Sequence, residues 1–336
     1  MTAEIRQLPD LADVEQFPGL EARRLDWVGE QFDDQALAEN TRDAYRRFFD
    51  AFDAWCGDHR HDSLPASEET VLRYVAHLGE RARAGEIVAA TIGRHLSAIR
   101  WKHREEGVTK VDNPATADAV RKRLQGIKRD DNVRTASRPK RGIKRNRLLS
   151  MVRALPEGMR GELTRAVLLV GYFGAFRRSE LVALDLEHVE WCEDGAIINL
   201  PKSKTDQTGE KAQQAWLPRV GGDLCPVRAL RSWIDAAEVD AGAIFRSMDR
   251  WGNVKDGRMS GRAVARAVKR AAEAAGFDSE EFSGHSLRRG AAMQASENGA
   301  SLPELKMMGR WESDRMPMHY AAPEDLKRRS ASNKLA

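Results

Sequence analysis

Four separated stretches of the sequence carry side chains able to work on an anionic group. GAFRRSELVALDL, Gly174–Leu186, holds Arg177 and Glu180 three residues apart. Lys204 lies in a long polar run, PKSKTDQTGEK, residues 201–211. SGHSLRRG, Ser283–Gly290, holds His285 and Arg288, again three apart, and GRWESDRMPMHY puts Trp311 nine residues before Tyr320. A guanidinium fork bonds two non-bridging phosphate oxygens at once and keeps its proton. A tyrosine hydroxyl, with a pKa near 10, is ionised in roughly one molecule in a thousand at neutral pH and needs a base or a positive pocket to attack. Such a set suits phosphoryl transfer, where positioning and charge stabilisation are most of the work. Each piece alone also has an ordinary reading: HxxR as a turn of surface helix, Tyr320 as a core residue with a satisfied hydroxyl, Arg177 and Glu180 as an i,i+3 ion pair.

The elements around these groups read as mainly helical. Residues 39–55 place Tyr45, Phe48, Phe49, Phe52 and Trp55 on one face, with Asn40 or Thr41 able to cap the start. Further helices fit 67–84, 91–105 and 116–127, giving a small bundle with basic outer faces. From Lys144 helices resume, broken once by strand-like sequence at 189–191, 196–200 and 212–217, a small antiparallel sheet with its first turn at Glu193–Gly195. Helices then fit 260–275, 286–298 and 301–308. In the last, Ser301 and Glu304 form a capping box and Gly309 suits the C-cap. Pro317 places the start of the helix that bears Tyr320.

Between Arg121 and Arg147 stand twelve Lys or Arg against two acidic residues, Asp130 and Asp131. This predicts residues 1–128 as one domain, 129–142 as a flexible basic linker, and 143–336 as a second domain. The net charge of +4 is mildly basic and compatible with a nucleic-acid partner without requiring one. Cys56, Cys192 and Cys225 have no metal-ligand spacing and read as reduced thiols. The polar N-terminus and the absence of eighteen consecutive apolar residues predict no signal peptide, no membrane span and a cytoplasmic protein.

With the four stretches in this order behind a basic helical region, the sequence resembles the tyrosine recombinase (phage integrase) family, and within it the Cre-like members. SGHSLRRGAAMQASENGASLPELKMMGRW carries the Cre-like arrangement, with Trp311 where many integrases have a second histidine. ENTRDAYRRFFDAFDAWC and TIGRHLSAIRWKHREEG resemble the core-binding domain of those proteins. The resemblance implies an N-terminal helical, SAM-like core-binding bundle and a mostly helical catalytic domain with a small antiparallel sheet. It implies a site-specific recombinase that cuts and rejoins DNA through a 3′-phosphotyrosyl bond and a Holliday junction.

Roles follow from the same resemblance. Tyr320 is the nucleophile, Arg177 and Arg288 hold the phosphate, and His285 assists as acceptor or as donor to the phosphate. Lys204, or Lys202 two residues earlier, is the general acid. Trp311 bonds or packs beside the phosphate, and Glu180 orients Arg177 or His285. Arg178 and Arg289 adjoin the key arginines but lie on the wrong helix faces to share the site. No metal or other cofactor is called for, and no GxxxxGK[ST] motif is present. The expected partner is double-stranded DNA, with base or phosphate contacts from Arg42, Arg46, Arg94, Arg262 and Arg266 and from the linker residues Arg138, Lys140 and Arg141. A monomer in free solution would form a homotetramer on two inverted-repeat sites, aided by a final helix after Tyr320, with no obligatory accessory protein. The alternatives are a type IB topoisomerase and a catalytically silent, sequence-specific DNA-binding protein.

Overall fold

A computed structural model describes residues 39–200 and 213–320, apart from a few side chains. The chain divides into two compact units, Met1–Arg138 and Pro139–Ala336. In the first, α1 (Glu39–His59), α2 (Glu68–Arg83), α3 (Ala89–Glu105) and α4 (Asp118–Arg129) close around Phe52, Cys56, Val71, Leu78, Ile92 and Ile99. The aromatic stripe of α1 supplies Phe52 to this core, as its spacing predicts. Ser67 caps α2 by accepting from the Thr70 amide. Asn40 and Thr41, expected as caps, lie inside α1, whose described part begins at Glu39. α3 begins at Ala89, two residues before the expected Thr91, and its first amides find acceptors in distant backbone: Ala89 and Ala90 donate to the carbonyls of Arg134 and Thr135, both at 3.0 Å.

Those bonds bear on the stretch expected to be a free linker. Val133 is buried in the first core, while Arg141 donates its amide to the Glu281 carbonyl at 2.7 Å and Ile143 to Ser286 at 2.9 Å. The run is basic and exposed in its side chains, yet its backbone is spent on unpaired helix-end and loop groups at both of its ends.

The second unit is built on α6 (Met159–Phe173), which follows α5 (Arg145–Arg153). α6 is apolar almost all round and therefore central. Leu163, Ala166, Val167 and Val170 face one cluster, and Leu168, Leu169 and Tyr172 the other. After the short α7 (Arg178–Val182) come β1 (Val189–Trp191), β2 (Gly195–Leu200) and β3 (Gln213–Pro218), an antiparallel sheet in the order β1-β2-β3. Ala196 pairs with Leu217 and Ile198 with Ala215, so these four alternate residues fill the core side of the pleat. α8 (Pro226–Ala236) then packs on α6.

The second sheet is not legible in the sequence. β4 (Arg246–Met248) and β5 (Val254–Arg258) form a hairpin whose strands are only half-buried or exposed, so no apolar alternation announces them. Its turn is tied by Asp249, whose carboxylate accepts from the amides of Trp251 at 2.9 Å and Asn253 at 3.0 Å. The chain ends its described part with α9 (Gly261–Ala274), α10 (His285–Glu297), α11 (Leu302–Gly309) and α12 (Arg315–Tyr320). Ser301 and Glu304 form the expected capping box of α11, but Arg310 rather than Gly309 takes the left-handed position after it, with φ 51°. α12 starts two residues before Pro317. A proline is tolerated there because the first-turn amides of a helix have no partner within it.

Candidate active site

Arg177 sits at the N-cap of α7 and Glu180 at its third position. The Arg177 amide donates to Glu180 Oε2 at 2.8 Å while its guanidinium bonds Oε1, so one local turn fixes backbone and side chain together. The Glu180 carboxylate is almost fully buried and also receives Arg310 Nη2 at 2.9 Å, with Arg288 Nη1 at 3.8 Å. Burial alone would raise its pKa. Arg310, the Arg177 amide, Arg177 and Arg288 outweigh that and hold it ionised below the usual carboxylate range.

Arg288, on the first turn of α10, is 1 % exposed. It donates to the Ala175 carbonyl at 2.7 Å and to Gly309, and its guanidinium lies 4.6 Å from the centre of the Trp311 ring. Burial first, then Arg177, brings its pKa down to about 9, still cationic at neutral pH. Ala175 adopts φ 44°, uncommon for alanine, and its carbonyl accepts from both Arg288 and Arg310. Three guanidinium groups therefore surround one carboxylate. An uncompensated charge in such a place costs several kcal/mol, so the surplus of positive charge favours an anion beside it.

On the edge of this cluster, His285 Nε2 lies 3.1 Å from the Tyr320 hydroxyl. Tyr320 is buried with Trp311 and Ala292, the two rings 5.5 Å apart and tilted by 35°. The imidazole keeps an exposed edge. The protein packed around it, then Arg288, Arg178, Arg289 and Arg177, push its pKa below the ordinary value, so it is neutral at pH 7 and able to accept a proton. Burial raises the Tyr320 pKa more than Arg288, Arg289 and Arg177 lower it. As it stands, the hydroxyl keeps its proton.

Among the residues singled out in the sequence, Arg177, Glu180, His285, Arg288, Trp311 and Tyr320 converge here. Glu180 contacts Arg177 and approaches Arg288, and no bond joins it to His285. Arg289 is directed elsewhere and donates to the Lys140 carbonyl at 3.2 Å, while the Arg178 side chain runs over Gly284. Lys204 and Lys202 lie outside the described residues, as does everything after Tyr320. Sequence reasoning missed Arg310. It joins Glu180 across 130 residues of chain, and no spacing rule reveals such a partner.

Of the residues expected to meet DNA, Arg262 and Arg266 are exposed four apart on α9, opposite buried Val264, Ala267 and Val268. In the first unit Arg46 and Arg94 are exposed and Arg42 is half-buried. Arg138, Lys140 and Arg141 are exposed, the last paired with Glu281 at 2.8 Å. Asp185, Glu187 and His188 group closely enough to invite a metal, but Asp185 bonds Arg258 at 2.5 Å and His188 accepts the Asp185 amide at 3.0 Å. Among the described residues no helix is long and apolar enough to cross a membrane.

A mainly helical protein whose second unit gathers arginines, a histidine and a tyrosine belongs to a definable class, and the comparisons name it. Residues 142–327, more than half of the chain, match the phage integrase family. The chain is 32 % identical over 303 residues to an integrase/recombinase XerD homolog of Selenomonas ruminantium, covering 90 % of this chain and 87 % of that protein. It is 25 % identical over 306 residues to the recombinase Cre of Escherichia phage P1, covering 86 % and 85 %. Cre is thus one of several relatives, and the XerD homolog shares more identity. The fold is shared with the Tn1549 transposon integrase in complex with transposon right-end DNA, at a TM-score of 0.60 with 12 % identity, covering 92 % of this chain and 98 % of that one. It is shared also with a lambda integrase dimer bound to a core site, at a TM-score of 0.55 with 17 % identity, covering 91 % and 95 %. This chain belongs to the phage integrase family and is a tyrosine recombinase.

Proposed function

We propose that this recombinase cuts DNA at a specific site by attack of the Tyr320 hydroxyl on a backbone phosphate, leaving a 3′-phosphotyrosyl bond and a free 5′-hydroxyl. The observation that carries the reading is the 3.1 Å approach of His285 Nε2 to the Tyr320 hydroxyl at the edge of a buried arginine cluster. Arg177 and Arg288 bind the non-bridging oxygens and offset the charge of the phosphorane as it forms. His285, neutral at pH 7, accepts the tyrosine proton. The phosphate's own negative charge opposes ionisation of the Tyr320 hydroxyl, and the arginines that bind it offset that charge. Trp311 packs between Arg288 and Tyr320 and offers its indole N–H to the phosphate. Lys204 protonates the departing 5′-oxygen, with Lys202 as the other candidate. The phosphotyrosyl bond conserves the energy of the broken linkage, so the 5′-hydroxyl of a partner strand can reverse the step without ATP.

The substrate is double-stranded DNA in the cytoplasm at the nucleoid. Arg42, Arg46, Arg94, Arg138, Lys140, Arg141, Arg262 and Arg266 contact it, and the exposure of the α9 pair supports a groove contact there. Four copies on two inverted-repeat sites exchange strands through a Holliday junction, from a chain that is monomeric in free solution. The test is a library of nicked duplex DNA incubated with the protein and with Tyr320→Phe, denatured in SDS, and sequenced for what stays attached. Adducts from the unaltered chain alone, at one inverted repeat, support the reading. Tight binding by both proteins with no adduct replaces it by a silent DNA-binding protein. Sizing of the protein with the recovered duplex then gives the number of copies per complex.

A further inference from the structure

We infer that Arg310 is a positioning residue that completes the neutralisation of Glu180 beside Arg177, so that Arg288 keeps its aim for the scissile phosphate. The inference rests on the phosphoryl-transfer reading above and deepens it. Arg310 follows α11 in a left-handed conformation, and its guanidinium is carried into the interior, where the residue is 8 % exposed. One nitrogen, Nη1, donates to the carbonyls of Gly174 at 3.0 Å and Met308 at 3.1 Å; the other, Nη2, donates to Ala175 at 3.2 Å and to Glu180 Oε2 at 2.9 Å. Its Cζ lies 5.0 Å from the centre of the Phe176 ring. Both of its terminal nitrogens end on protein, and the residue belongs to the scaffold of the site.

What Arg310 touches is informative. The Ala175 carbonyl is shared with Arg288, and Glu180 Oε2 with the Arg177 amide. Arg310 therefore ties the turn before α7 to the end of α11, from which Trp311 departs, and shares an acceptor with Arg288 of α10. Glu180 needs a full countercharge because it is buried. With Arg310 present, that charge comes from Arg177 on one oxygen and, on the other, from a residue that does not face the phosphate, and Arg288 stays at 3.8 Å from the carboxylate. Without it, the buried carboxylate, already bonded by Arg177, draws Arg288 in from 3.8 Å, and that fork turns from the phosphate toward Glu180 before DNA arrives. Displacing a phosphate-binding fork by about 1 Å lowers a phosphoryl-transfer rate on the order of a hundredfold.

The experiment uses the full chain and one nicked duplex recovered as an adduct of the unaltered protein. DNA affinity, single-turnover adduct formation and thermal unfolding are measured for Arg310→Met, Arg310→Lys and the double variant Arg310→Met with Glu180→Gln. The expected result for Arg310→Met is a fall of about 10- to 100-fold in adduct rate with DNA affinity changed less than about threefold. In the double variant, where the carboxylate charge is gone, the rate recovers at least severalfold over Arg310→Met. Arg310→Lys, which keeps the charge and loses the fork, lies between. Equal rates in the unaltered chain and Arg310→Met overturn the inference alone. So does a rate that falls in Arg310→Met and falls further in the double variant, or unfolding of every variant, since either makes Arg310 a core residue only. Failure of the unaltered chain to form any adduct overturns the phosphoryl-transfer reading itself, and the inference with it.

Discussion

His285 and Tyr320, 35 residues apart in the chain, bring ring nitrogen and hydroxyl within 3.1 Å of each other. α10 supplies the first and α12 the second, and the two helices pack directly. The contact joins an imidazole held neutral at pH 7 to a hydroxyl that burial keeps protonated.

That arrangement predicts the acid limb of the reaction. The His285 pKa is held below its ordinary value of 6.5, so the imidazole accepts a proton at neutral pH and loses that capacity only on the acid side of 6.5. Adduct formation in single turnover should be level from pH 8 to about 6.5 and then decline toward pH 5. His285→Gln, which does not titrate, should be slow throughout and lack this limb. A decline that begins above pH 7 in the unaltered chain speaks against His285 as the acceptor.

Acid should also weaken the first unit through His95. This ring is buried, bonded to the Tyr74 hydroxyl at 3.0 Å, and burial drives its pKa down to about 4. The unfolded chain takes up the proton near 6.5 and the folded one near 4, so stability is intact above 6.5 and is lost as pH falls between the two. The full loss is about 3 kcal/mol. Urea unfolding at pH 7 and pH 4.5 measures it, and His95→Gln should show a smaller difference between the two pH values.

Two glycine-to-alanine changes should act in opposite directions. A Cβ on Gly290, within α10, runs into the Ile143 backbone, so Gly290→Ala pushes the helix that carries His285 and Arg288 off its support. We expect a loss of about 2 kcal/mol and slower adduct formation. Gly126, exposed in α4, has open space where the Cβ would go, and Gly126→Ala should stabilise by about 0.5–1 kcal/mol. Chemical denaturation of the two variants side by side settles both signs.

Arg262 and Arg266 separate two kinds of DNA contact. If Arg262 reads a base, Arg262→Ala relaxes the sequence preference at one base pair, at a cost of about 1–3 kcal/mol on the preferred sequence. A phosphate contact instead weakens every sequence alike and lowers the salt slope by about one. Binding to a randomised duplex pool at two salt concentrations distinguishes them.

Much of this protein is written locally. The helix over 39–55, the bundle of the first unit, the capping box of Ser301 and Glu304, and the three-stranded sheet follow from apolar periodicity and from caps that act within four residues. The type and order of Arg177, Glu180, His285, Arg288, Trp311 and Tyr320 are likewise plain in the chain, because chemistry needs particular side chains and helix geometry spaces them. Tertiary structure decided what is non-local. Helix starts moved where backbone amides found distant acceptors, as Ala89 and Ala90 did, and the β4–β5 hairpin formed without an apolar signal of its own. Arg310 is the clearest case. Nothing near it in sequence distinguishes it from a surface arginine, and only the fold, by burying Glu180 and bringing Gly174, Ala175 and Met308 carbonyls around one guanidinium, gives that charge its place.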